Sequence, residues 1–133
     1  MRFKNNSHQR RFMDAIKKMD QRDRTQMAIV FLMTADKSLW NRCRIYMVNH
    51  KIPIYRVRLK RVSEEAYLLF CCAKDIALGT THVSMNDLVD KDVVSGQMWQ
   101  LIFTALEIKR FGVGIVVPQR TDNKKNKEVE SNE

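Results

Sequence analysis

The side chains with the most chemistry to offer are the imidazoles of His8, His50 and His82 and the thiols of Cys43, Cys71 and Cys72. Their spacing argues against a metal. The histidines lie about forty and thirty residues apart, no Cys-x2-Cys or His-x3-His occurs, and two of the thiols are adjacent. On a helix Cys71 and Cys72 point about a hundred degrees apart, so at most one joins a core stripe with Leu68 and Ile76. Neither sits at a helix N-terminus that would activate it. His8 or His50 beside an Asp or Tyr is the remaining candidate for a general base, as in small metal-independent nucleases, and the sequence supplies no partner for it. There is no Gly-x-Ser-x-Gly, no phosphate-cradling glycine loop and no carboxylate pair in an apolar setting. The expectation is a protein that is not an enzyme and takes neither cofactor nor metal.

Binding is the better supported chemistry. The segment YRVRLKRV, residues 55–62, alternates Tyr55, Val57 and Leu59 with Arg56, Arg58 and Lys60, and Arg61 follows. Period two is the signature of an extended segment with one apolar and one polar side. Cations on such a segment displace counterions from phosphate, and Tyr55 could stack on a base. The same pattern also fits an edge whose apolar members close the core while the charges only protect it. Arg10, Arg11, Lys17 and Lys18 on a first helix, with Arg42 and Arg44 on a third, complete the candidate anion-binding set.

The charge is unevenly spread along the 133 residues: residues 1–61 hold 16 Lys and Arg against 4 Asp and Glu, and residues 62–133 hold 8 against 11. Within a net +9, the first half is therefore +12. Such asymmetry points to an anionic partner, nucleic acid first and a membrane surface second. At 44% hydrophobic and 29% charged, the composition is that of a folding globular domain. The longest apolar run, MAIVFLM at residues 27–33, is far too short to span a bilayer. The N-terminus has no secretory pattern, and three cysteines without framework spacing read as reduced thiols. These features lead to the expectation of a cytoplasmic protein without membrane attachment, its oligomeric state left open.

The elements that must position the cations are helices. A first, over residues 8–19 with Ser7 as its cap, turns Phe12, Ala15, Ile16 and Met19 inward and pairs Asp14 with Lys18. A second, over residues 24–35 and capped by Asp20 or Asp23, is apolar almost all round and is placed at the centre. A third covers residues 39–49 after Ser38, with Leu39, Trp40, Cys43 and Tyr46 or Met47 as its stripe. Pro53 ends the helical stretch before the alternating segment. The fourth, residues 64–78, has Ser63 as its cap, two glutamates in its first turn and Gly79 as its left-handed stop. Ser84 and Asp87 form a capping box over a short helical turn. The last helix, residues 96–110 behind Ser95, is read with Trp99, Ile102, Phe103 and Leu106 inward. The predicted fold is all-α: one domain over residues 3–117 with about five helices and one short extended segment, then a disordered charged tail over residues 118–133.

FKNNSHQRRF, the LW and IY pairs of the third helix, SEEAYLLFCCAKDIALG and LIFTALEIKRFG, in that order, resemble a family of small helical domains of Gram-positive bacteria, their phages and conjugative elements. The likeness covers about residues 3–112 and rests on caps and core positions, so it implies fold and carries over no functional residue. The basic segment at residues 55–62 is this chain's departure from the family's shorter, more acidic connection. Two functions follow as expectations. The first is a non-catalytic protein that holds nucleic acid, or a nucleoprotein complex, through a basic face. The alternative is a phage or mobile-element protein that binds and inhibits a host nucleoprotein enzyme, such as a CRISPR-type defence complex, by protein contact.

Overall fold

In the computed structural model, which describes residues 2–117, the run MAIVFLM forms the middle of the helix around which everything else is packed. This helix, α2 (Arg24–Thr34), has Met27 to Thr34 buried without a break, and Asp23 caps it by accepting from the Gln26 N–H. An element apolar on every side can only be satisfied by neighbours on every side. They are α1 (Asn6–Ile16), α3 (Lys37–Cys43), α4 (Glu64–Leu78) and α6 (Gly96–Phe111), all in contact with α2. The short α5 (Met85–Val89) joins α4 to α6. The chain is all-α, and no strand forms among the described residues. The tail expected to be disordered, residues 118–133, lies outside the described residues.

Local chemistry accounts for most boundaries. Ser63 accepts from the Ala66 N–H, and Gly79 ends α4 at φ 71°, a left-handed conformation that costs glycine little. The capping box of α5 is complete, with Ser84 and Asp87 each holding the other's backbone N–H. Two caps fall earlier than the sequence indicated: Asn5 rather than Ser7 starts α1, and Asp36 rather than Ser38 starts α3. The third helix is also shorter than expected. It passes at Arg44–Tyr46 into a 3-10 turn and then into a tight turn, where Asn49 and His50 both have positive φ.

Two readings are corrected. The alternating segment is not strand-like from its start, because Ile54–Arg56 coils into a 3-10 turn. Val57 is buried and Leu59 half-buried, but Tyr55 is 60% exposed and outside the core. With no neighbouring strand among the described residues to pair with, the backbone finds local partners instead: the Tyr46 hydroxyl, the Arg58 guanidinium and the turn's own N–H groups. The second correction concerns α6, which buries Met98, Leu101, Ile102, Ala105 and Ile108. Trp99, Phe103 and Leu106 are 37–40% exposed. Apolar residues line two adjacent stripes of this helix, and packing on α2 selects the one containing Ala105, whose small side chain permits close approach.

Candidate nucleic-acid interface

α1 and α3 both rest on α2, and an open groove of about 550 Å3 runs between them. Its walls carry Arg11, Lys18, Lys37 and Arg44, with Trp40 and Met47 as apolar lining and His50 at one end. On the α1 side stand Arg11, within the helix, and Lys18, in the turn just after it; on the α3 side Lys37 opens the helix and Arg44 follows it in the 3-10 turn. The one carboxylate among the described groove residues, Asp14, is held by Lys17 at 3.4 Å. The sequence had paired Asp14 with Lys18; the i,i+3 pair forms instead and leaves Lys18 free. None of Arg11, Lys18, Lys37 and Arg44 has an ion-pair partner among the described residues.

The groove is built firmly. Arg11 Nε donates to the Thr34 carbonyl at 2.8 Å, so the end of α2 aims the guanidinium while its terminal nitrogens stay available. The His50 end is pinned by a two-residue turn in which Val48 N–H donates to Lys51 O at 2.9 Å and Lys51 N–H to Val48 O at 3.1 Å. Gln26 of α2 clamps the next residue, its amide donating to Ile52 O at 3.0 Å and accepting from Ile52 N–H at 2.7 Å. His50 takes φ 62° there, a conformation costly to a non-glycine residue and sustained by these contacts. A smaller depression beside it shares Lys18 and His50 but includes Asp20 and Asp23, and so is far closer to neutral. Hydrogen bonds from Arg22 keep the Asp20 carboxyl below its usual range and therefore charged.

Of the cations singled out from sequence, Arg11, Lys18 and Arg44 come together in the groove. Arg10 is exposed on α1 but does not line it, and Lys17 serves Asp14. Arg42 borders a neighbouring hollow with Lys37, Ser38 and Asn41. Arg56, Arg58, Lys60 and Arg61 are exposed beyond the groove lining. Their segment is attached to the end of α3, since Arg58 N–H donates to the Tyr46 hydroxyl at 3.3 Å. Arg56 lies over the Tyr55 ring at 5.6 Å, and the Arg58 guanidinium donates to the carbonyls of Tyr55 and Val57. Arg61 sits at φ 57°. Lys37 is a groove cation that the sequence reading missed, and His50, considered there only as a candidate base, lines one end of the groove. The signal for Lys37 was present in the spacing Lys37, Asn41, Arg44, one face of a helix.

The nucleophile and base candidates are placed elsewhere. His8 is sealed in the core among Phe3, Phe12 and Phe31. Its Nδ1 accepts from Lys4 N–H at 2.9 Å, so the proton is on Nε2, which donates to Phe31 O at 2.8 Å. Both nitrogens are occupied, and burial, with Arg11 and Lys4 adding repulsion, lowers its pKa to about 4. Burial likewise pushes the Cys43 and Cys72 thiols up to about 12. Cys72 belongs to the core, and Cys71 is also covered. His82 is tied to Asp75, which collects the N–H groups of His82 and Val83 and the Thr80 hydroxyl at the end of α4. Among the described residues no three His, Cys, Asp or Glu side chains converge as metal ligands would, and no helix is long and apolar enough to cross a membrane. Comparison of the chain with protein-family models, with characterised proteins and with solved structures finds no match.

Proposed function

We propose that the chain is a non-catalytic nucleic-acid-binding protein that grips the sugar-phosphate backbone in the groove between α1 and α3. The observation that carries this reading is the convergence there of Arg11, Lys18, Lys37 and Arg44 without ion-pair partners among the described residues, around a single carboxylate already neutralised by Lys17. Four like charges on facing walls repel one another unless a polyanion lies between them, and phosphate supplies one whatever the base sequence. Trp40 is only 7% exposed and lines the groove without offering a stacking face. Tyr55 and the cations of residues 56–61 extend the positive surface past the end of α3, where the exposed ring can meet an unpaired base.

The test is fluorescence anisotropy on labelled single-stranded and duplex oligonucleotides with the variant Lys18→Glu/Lys37→Glu/Arg44→Glu. All three side chains are exposed, so the fold should be unchanged while binding is strongly weakened. Arg56→Glu/Arg58→Glu/Lys60→Glu should weaken binding less. Equal affinity of the groove variant and the parent would reject the reading. A host protein held by the parent in a complex that survives nuclease treatment would favour inhibition of a nucleoprotein enzyme instead.

A further inference from the structure

The stripe Trp99, Phe103, Leu106 on α6 points away from α2 and is left uncovered by the described residues. Trp99 and Phe103 pack against each other, ring centroids 4.4 Å apart and planes tilted by 38°, and so form one apolar ridge. Beside Leu106 the surface dips instead, into a mostly apolar hollow of about 190 Å3 between α4 and α6, lined by Cys72, Ile76, Val83, Leu88 and Ile102, with Asp75 as its one charged residue. Exposed apolar bulk gathers in this part of the molecule: of the twelve large exposed hydrophobic side chains among the described residues, eight lie between residues 78 and 111. An exposed apolar ridge beside a hollow marks a contact site.

We infer that this face is a two-fold interface with a second copy of the chain, the two α6 helices packed antiparallel. A self-complementary interface must contain both a projection and its receptor, and here both are on one helix, the Trp99/Phe103 ridge one to two turns from the Leu106 hollow. A two-fold axis passing near residue 102 brings Trp99 of each copy to Leu106 of the other, and the ridge enters the hollow twice. Charge agrees with that direction. Asp90 and Asp92, with Lys91 between them, precede α6 and leave that end net negative, and Arg110 ends it, all four exposed and none in an ion pair among the described residues. Antiparallel pairing places each Arg110 at the acidic end of its partner, whereas parallel pairing would set like charges together. The α1–α3 groove shares no lining residue with this face and stays open in the dimer.

The experiment is sedimentation equilibrium of the full chain across the micromolar range, with Trp fluorescence at the same concentrations. The parent should approach twice its 15.7 kDa as concentration rises. Trp99 emission should shift to the blue while Trp40, already buried, stays constant. Phe103→Glu should raise the dissociation constant about a thousandfold, because a central contact of hot-spot size counts twice across a two-fold axis. Its circular dichroism and the unfolding midpoint of the dilute protein should match the parent's, since the side chain is exposed. Arg110→Asp and Asp92→Arg should each weaken association and together restore it, which reads the antiparallel direction itself. A parent that remains monomeric throughout overturns the inference and leaves the stripe to a foreign protein. A dimer undisturbed by Phe103→Glu also overturns it.

Discussion

Acid should unfold this protein through a single buried histidine. His8 is neutral in the folded state because protonating Nδ1 would strip the Lys4 N–H of its acceptor and place a charge among three phenylalanine rings. Desolvation is the largest influence, and it brings the pKa from 6.5 to about 4. In the unfolded chain the ring titrates near 6.5. Above that pH it is neutral in both states and native stability is complete. As pH falls from 6.5 towards 4, only the unfolded chain takes up the proton, so stability declines over that window and the decline levels off below it. A separation of that size corresponds to about 3 kcal/mol, a large part of a typical 5–15 kcal/mol. The assay is urea unfolding at a series of pH values for the parent and for His8→Phe, which fits the aromatic cluster but cannot titrate. At pH 7 the variant should be less stable by about 2–5 kcal/mol, since the Lys4 N–H and the Phe31 carbonyl each give up a hydrogen bond. By pH 4 most of that gap should have closed, because only the parent carries the histidine penalty. Contributions from all other titrating groups are common to both proteins and cancel. Parallel stability curves would refute the reasoning, as would an NMR titration of His8 with a midpoint near 6.5.

Three further outcomes follow from the packing. Leu32→Ala should cost about 2–5 kcal/mol in chemical denaturation, because Leu32 is fully buried where α2 meets its neighbours and its removal leaves a cavity. Cys43 and Cys72 should resist thiol reagents at neutral pH until the protein unfolds, with labelling rates that rise in proportion to the opening equilibrium as denaturant is added. Asp75→Ala should speed amide exchange at His82 and Val83 by an order of magnitude or more while sparing α2. Burial alone would raise the Asp75 pKa, but the N–H groups of His82 and Val83 and the Thr80 hydroxyl outweigh it and lower it. Protection of those two amides in the parent, relative to their intrinsic exchange, should therefore be lost only as pH falls through the depressed carboxyl range.

What was legible in the sequence was what neighbours along the chain decide. Ser63 and Gly79 bound α4 at the residues expected, Ser84 and Asp87 close the box of α5, and the unbroken apolar run of α2 announced its central place. Less legible was any choice made between distant segments. α6 carries apolar residues on two adjacent stripes, and periodicity alone cannot tell which of them α2 will cover. His8 gave no sign of burial, because its partner Phe31 is 23 residues away and belongs to another helix. The groove needs α1 and α3 laid against α2, so its cations could be named from charge and helical spacing but not assembled. The alternation at residues 55–59 misled because period two describes a strand only where a second strand stands beside it, and here the backbone's partners are its own turn, the Arg58 guanidinium and the hydroxyl of Tyr46.

The most direct measurement of the proposed function is the salt dependence of oligonucleotide binding. If the four groove cations each release a counterion, log K should fall linearly with log salt. Lys18→Glu/Lys37→Glu/Arg44→Glu should then reduce the slope's magnitude by about 2–3, at roughly 0.7 to 0.9 for each phosphate no longer neutralised. A slope the same in parent and variant, or no binding by the parent even at low salt, would contradict the account.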